Sequence, residues 1–95
     1  MNLGKVVGTV VSTRKESDLD GIRFLLVRLV DTDGKETSSF VVAADAMGAG
    51  PGEMVLTAAG SSARQTTMTQ NKPVDNVIMA IVDTWEVNGV TKYTK

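Results

Sequence analysis

Asp45-Ala46-Met47-Gly48-Ala49-Gly50-Pro51-Gly52-Glu53 runs into Met54-Val55-Leu56-Thr57-Ala58-Ala59 and then into Gly60-Ser61-Ser62-Ala63-Arg64. A glycine-rich turn feeds a short apolar strand, and the strand ends in a corner of small residues. Gly48, Gly50 and Gly52 allow positive φ or the close approach of another backbone. Pro51 holds its own φ near about −65° and biases Gly50 away from the helical region, so the turn reads as tight and stiff. No nucleophile with a base beside it lies in the stretch, which points to shape and contact rather than bond-breaking.

Upstream of the turn, residues 5–13 are rich in β-branched side chains and read as a strand, with Gly8 marking a bend, a bulge or a close neighbour. Residues 14–20 are polar and charged, a solvated loop, and Asp20-Gly21 is a turn signal. Ile22 to Val30 is the strongest strand candidate. Asp31-Thr32-Asp33-Gly34 then predicts a hairpin turn, with Phe40 to Ala44 pairing back. Downstream, Ser61 or Ser62 is placed to N-cap a short helix through Arg64 and Gln65. Thr66 to Lys72 is polar and reads as flexible. Pro73-Val74-Asp75 predicts a brief helical turn with Asp75 as a cap. Val77 to Val82 is a strand, and Trp85 to Tyr93 is a hairpin about Asn88-Gly89, which suits a type I′ turn. Five or six short strands separated by turn signals predict one all-β domain over 1–95, an antiparallel sandwich or small barrel with little helix.

Two strands depart from the alternation expected of a half-buried strand. In 22–30, Ile22, Phe24, Leu26 and Val30 lie on one face and Leu25, Val27 and Leu29 on the other. The strand 77–82 is apolar on both faces as well. One face fills the barrel. The other needs a cover, for which a neighbouring subunit is the better explanation, since the chain has little helix to spare.

Composition narrows the chemistry. The chain has 95 residues, 42% hydrophobic, and only four are aromatic (Phe24, Phe40, Trp85, Tyr93), so Val, Ile, Leu, Met and Ala build the core. Ten basic and eleven acidic residues give a net charge of −1, which offers no clustered positive charge for nucleic acid or an anionic membrane. Cysteine and histidine are both absent. That excludes disulfides and thiolate ligands and removes the usual parts of zinc or copper sites and of Ser-His or Cys-His catalysis. Neither a secretory segment nor a membrane span is visible, because the run Val6 to Val11 is short and interrupted. A cytoplasmic protein is the expectation.

Four local patterns invite a chemical reading. Gly48-Ala49-Gly50-Pro51-Gly52 has glycines like a dinucleotide fingerprint, but a strand follows where the fingerprint needs a helix, and the spacing is wrong. Asp31, Asp33 and Glu36 lack the carboxylates, glycine and flanking helices of a calcium loop. Gly60 to Arg64 offers amide groups and a guanidinium to an anion; a capped turn with Arg64 on carbonyls or a carboxylate is the plainer reading. Asp45, Glu53, Asp75 and Asp83 could form a carboxylate pair for acid–base work, but nothing in their spacing joins two of them.

In order and together, Gly8 to Thr13, Leu25-Leu26-Val27, Asp45 to Leu56, Gly60 to Arg64, Pro73-Val74-Asp75 and Ile81-Val82-Asp83 resemble the bacterial microcompartment vertex family, the EutN/CcmL family. The resemblance implies a five-stranded OB-like antiparallel β-barrel, with the short helix and the C-terminal hairpin beside it. It implies assembly into a homopentamer at the five-fold corners of a protein shell, with hexameric shell tiles as partners. It further implies a structural, non-catalytic role without cofactor, nucleic acid or membrane. The motif residues Asp45, Gly48, Ala49, Gly50, Gly52, Glu53, Ser61, Ser62, Ala63 and Arg64 become the candidates for subunit contact. An OB-type module for single-stranded nucleic acid is the alternative. It would need a basic groove and stacking platforms. A third reading, a small enzyme with an active site shared between subunits around Asp45 and Arg64, requires convergent polar groups at an interface.

Overall fold

The computed structural model describes residues 1–13 and 15–95. Arg14, at the head of the loop read over 14–20, lies outside the described residues. Seven strands form in order: β1 (Asn2–Val10), β2 (Phe24–Val30), β3 (Glu36–Asp45), β4 (Met54–Ala59), β5 (Asn76–Ile81), β6 (Thr84–Val87) and β7 (Val90–Thr94). The first five close into a barrel of order β1-β2-β3-β5-β4, and β6-β7 is a separate two-stranded sheet. Among the described residues the helical content is two 3-10 segments, Ser17–Leu19 and Gly60–Arg64.

The barrel pairs are antiparallel except one: β3 meets β5 in parallel, over Ala44↔Val77 and Asp45↔Ile78 alone. β1 begins earlier than residue 5, because Asn2 to Lys5 pair with Thr57 to Met54 of β4, and it ends at Val10 rather than Thr13. Its register shifts between Val6 and Gly8, the bulge that Gly8 suggested. β4 coincides with the strand read over 54–59. Asn88 and Gly89 both have positive φ, 52° and 79°, as a type I′ turn requires.

Core formation follows one face of each strand. Val6, Leu25, Val27, Ala43, Ala49, Val55 and Ile78 pack inside the barrel with little or no exposure. Gly4 belongs to the same layer, where a Cβ would overlap Val27 Cγ1. A second cluster, Ala44, Ala58, Ala63, Val74 and Val77, lies outside the barrel wall, with Phe24, Met68 and Met79 packed against it. The chain therefore covers part of its own outer face, where the sequence favours a neighbouring subunit as the cover with an internal one as the alternative. The cover is the 3-10 helix at 60–64 together with the segment leading to Val74.

That segment differs from its reading in three respects. No serine side chain caps the 3-10 helix; Ser61 and Ser62 point into solvent and Ala63 is the buried residue. Residues 66–72 are ordered by hydrogen bonds. Thr69 is fully buried and its hydroxyl donates to Ala63 O at 2.6 Å, while Gln70 N–H donates to Thr66 O. Pro73-Val74-Asp75 forms no helical turn: Val74 drops into the cluster, and Asp75 acts through its carbonyl, which accepts the Gly60 N–H at 2.8 Å.

Candidate functional site

The glycine loop between β3 and β4 is built on Asp45. At the end of β3 its carboxylate is buried, and Oδ1 accepts the amides of Met47, Gly48 and Ala49 at 3.0, 3.0 and 3.2 Å. Oδ2 accepts Arg23 Nη1 at 3.1 Å, and the same guanidinium nitrogen donates to Ala49 O at 3.2 Å. Three converging amides and one guanidinium satisfy a carboxylate that burial would otherwise penalise. Arg23 is 52% exposed at its side chain, so it locks the loop from the solvent side. The sequence reading placed Arg23 only within a strand; its charge beside Asp20-Gly21 was the one available signal.

Positive φ falls at Gly48 and Gly52, 75° and 84°. Gly50 does not share it, which corrects the expectation for the middle glycine. Its amide donates to Glu53 Oε1 at 2.6 Å, and a Cβ there would meet that oxygen at an ordinary 3.5 Å. Ala49 is fully buried and plugs one end of the barrel core. Gly52 N–H reaches Val6 O at 2.8 Å and Val6 N–H reaches Glu53 O at 3.0 Å, which staples the loop to β1. Among the described residues, nothing lies within 4 Å of where a Cβ would stand on Gly48 or Gly52, so that side of both glycines is open.

Glu53 also ties the hairpin to the loop. Its Oε2 accepts Lys95 Nζ at 2.9 Å. The Lys95 hydrogen bond, then the Gly50 amide, hold its carboxyl below the usual glutamate range, against a smaller opposing effect of desolvation. Lys95 is raised in turn, chiefly by the Glu53 hydrogen bond. Farther along, Trp85 Nε1 donates to Thr32 O at 2.8 Å and Lys92 pairs with Asp33 at 3.2 Å.

The second motif, Ser61 to Arg64, lies on the 3-10 helix after β4, away from the hydrogen bonds of the glycine loop. Arg64 Nη1 donates to Val74 O at 3.2 Å, the carbonyl-bonded arrangement weighed for it. Ser61 and Arg64 line an open polar depression with Gln65, Thr67, Gln70 and Asn71. Asp45 and Glu53 share the glycine loop but engage different partners, so no carboxylate pair forms there. Among the described residues, no cluster of three or more Asp, Glu, His or Cys is placed to hold a metal ion. Nor is any helix long and apolar enough to cross a membrane.

Three of the four aromatic side chains are engaged with one another or with charge, and Phe24 packs on the second apolar cluster. Trp85 stacks on Tyr93 with centroids 4.9 Å apart, and Arg28 lies 4.4 Å over the Phe40 ring. Exposed apolar side chains remain on the barrel wall: Val7, Val10 and Val11 at the end of β1, and Phe40 and Val42 on β3.

Comparison with known proteins places this geometry. Residues 1–83 match the sequence model of the family described as ethanolamine utilisation protein EutN/carboxysome. The chain is similar to the structure of Gloeobacter violaceus CcmL, with TM-score 0.97 and 44% identity over 100% of this chain and 98% of that one. It is 47% identical over 88 residues to the bacterial microcompartment shell vertex protein PduN of Salmonella typhimurium, covering 88% of this chain and 97% of that protein. It also superposes on the GrpN pentameric microcompartment shell protein from Rhodospirillum rubrum, with TM-score 0.85 and 42% identity over 92% of this chain and 99% of that one.

Proposed function

The chain belongs to the EutN/CcmL family, and from that premise we propose that it is a structural shell protein, five copies of which form a ring at each five-fold vertex of a bacterial microcompartment. The observation that carries the reading is the agreement of the whole fold, glycine loop included, with proteins named as shell vertex or pentameric shell proteins. Hexameric shell tiles are the partners of the ring, and the shell is its location. Its work is contact rather than catalysis. The polar groups of the glycine loop are spent on the chain's own backbone, and the chain has neither histidine nor cysteine.

The motif residues Asp45, Gly48, Ala49, Gly50, Gly52, Glu53, Ser61, Ser62, Ala63 and Arg64 serve this role in two ways. Asp45, Ala49, Gly50, Glu53, Ala63 and Arg64 hold the loop and the corner in shape; Gly48, Gly52, Ser61 and Ser62 present small, open surface to a neighbour. An OB-type nucleic-acid module is disfavoured by the net charge of −1 and by rings that are already stacked or covered. Native mass spectrometry of the purified protein tests the proposal. The expected species is five times the 10.1 kDa chain mass. A stable monomer at micromolar concentration overturns it.

A further inference from the structure

The barrel is closed, but not along its whole length. β3 pairs with β2 from Glu36 to Ala44, yet reaches β5 only at Ala44 and Asp45. Asp45 N–H donates to Arg23 O, so the β2–β3 ladder is bonded at Asp45 and at every second residue before it. Ala43 and Val41 thus bond to β2, while Phe40 and Val42 turn their amides and carbonyls away from it. Ala44, which points the same way, is taken by β5; Phe40 and Val42 are not. The hairpin is a separate sheet and does not ladder onto them. Both side chains are 45% exposed.

A second open edge lies on the far side of β2. Val6 is bonded to Gly52 and Glu53. After the register shift, Gly8 and Val10 face Leu26 and Phe24 in bonded pairs, which turns the Thr9 amide and carbonyl outward. Val7, Val10 and Val11 stand exposed around it. An open, apolar strand edge normally carries lysine, proline or a cover. Neither Phe40-Val41-Val42 nor Val7 to Val11 holds a lysine or proline of its own; Arg28 lies over the Phe40 ring, and Lys15 borders the hollow beside Val10 and Val11.

We infer that the β3 edge at Phe40–Val42 is the seat of a second copy of this chain, which docks there with the Val7–Val11 end of its β1. The inference rests on the vertex reading and names the surface that the ring uses. Both edges carry unpaired backbone donors and acceptors flanked by exposed apolar side chains, so each can supply the hydrogen-bond partners the other is missing. The edges lie on opposite sides of β2, so one copy presents one edge to each of two neighbours. That is the head-to-tail contact a closed ring requires. An isologous pairing of β3 with β3 would stop at a dimer.

Val42→Lys tests it, because the side chain is on the outer face and the backbone amide is not used by the barrel. The expected result is loss of the ring in native mass spectrometry at micromolar concentration, with the strand signal in circular dichroism unchanged. Val42→Thr, β-branched and of similar size, keeps the ring. Val90→Lys, on an exposed apolar hairpin residue 55% accessible, also keeps it. Amide exchange gives an independent readout: Phe40 and Val42 are protected in the wild-type ring and exchange freely in Val42→Lys. Rings of wild-type mass from a folded Val42→Lys, or unprotected amides at 40 and 42 within a wild-type ring, overturn the edge assignment alone. A monomeric wild-type protein overturns the vertex reading beneath it.

Discussion

At the scale of single residues, Asp45 has the most to lose. Asp45→Ala strips the acceptor from three loop amides and from Arg23 at once. The half-exposed guanidinium rehydrates, but the Ala49 amide is buried and is left unpaired. The expected loss is about 1.5–3 kcal/mol, the range for hydrogen bonds to a charged group, with a buried donor left unmet costing a similar amount. Asp45→Asn loses less, because its remaining oxygen still faces the amides. Urea titration of both variants at one protein concentration measures this, and a wild-type midpoint for Asp45→Ala would contradict it. The neighbouring glycines separate by conformation rather than by position in the motif. Gly48→Val and Gly52→Val each force a β-branched residue into positive φ, a strain of about 1–3 kcal/mol. Gly50→Ala lies within about 0.5 kcal/mol of wild type, since its φ is ordinary and the added methyl has room. Equal melting temperatures for Gly48→Val and Gly50→Ala would refute the distinction. The sequence shows three glycines around one proline. It does not show which of them the Asp45 carboxylate drives into the left-handed region, because that depends on the three-amide grip and on Arg23, 22 residues upstream.

At the scale of elements, the hairpin is joined to the rest of the chain by polar contacts, and none of its residues is buried. Its most legible feature in the sequence was Asn88-Gly89, whose backbone demands are local. Its docking was illegible, because Trp85 reaches Thr32 across 53 positions. The same division holds elsewhere. β4 is readable since Glu53 and Gly60 punctuate an apolar run, whereas 66–72 looks flexible until Thr69 is seen buried against Ala63 O. The two-residue parallel contact of β3 and β5 has no pattern of its own. The tie between Lys95 and Glu53 makes hairpin docking pH-dependent at both extremes. Glu53 is lowered, so its contribution is present above the ordinary glutamate value of 4.5 and fades as pH falls through its lower folded value. Lys95 is raised, so its contribution is present below the ordinary lysine value of 10.5 and fades as pH rises through its higher folded value. The Gly50 amide resonance, bonded to the same carboxylate, is expected to titrate on the acid side of 4.5. In Glu53→Gln that titration disappears. A Gly50 amide that titrates at or above the ordinary value would show that the tie does not form.

At the scale of the whole molecule, the decisive property is curvature. Flat six-fold tiles extend into sheets or tubes, and a closed convex shell made from them needs five-fold corners. If this chain supplies the corners, deleting it leaves tiles and cargo enzymes present and individually active. What changes is closure: shells are expected to be elongated or unsealed, and a reactive intermediate held inside escapes. Complementation then separates folding from assembly. The Arg64 guanidinium bonds Val74 O within the same chain, so its loss loosens the 60–75 segment without touching the open edges of β1 and β3. A strain carrying Arg64→Ala is therefore expected to close its shells, with a lower melting temperature for the purified protein as the only change. A strain carrying Val42→Lys accumulates folded protein and still fails to close them. Electron microscopy of the deletion strain and the two complemented strains makes the measurement. Closed polyhedra in the deletion strain, in a background without a paralogue, would remove the vertex role outright. Closed shells with Val42→Lys would leave that role standing and move the subunit contact to another face.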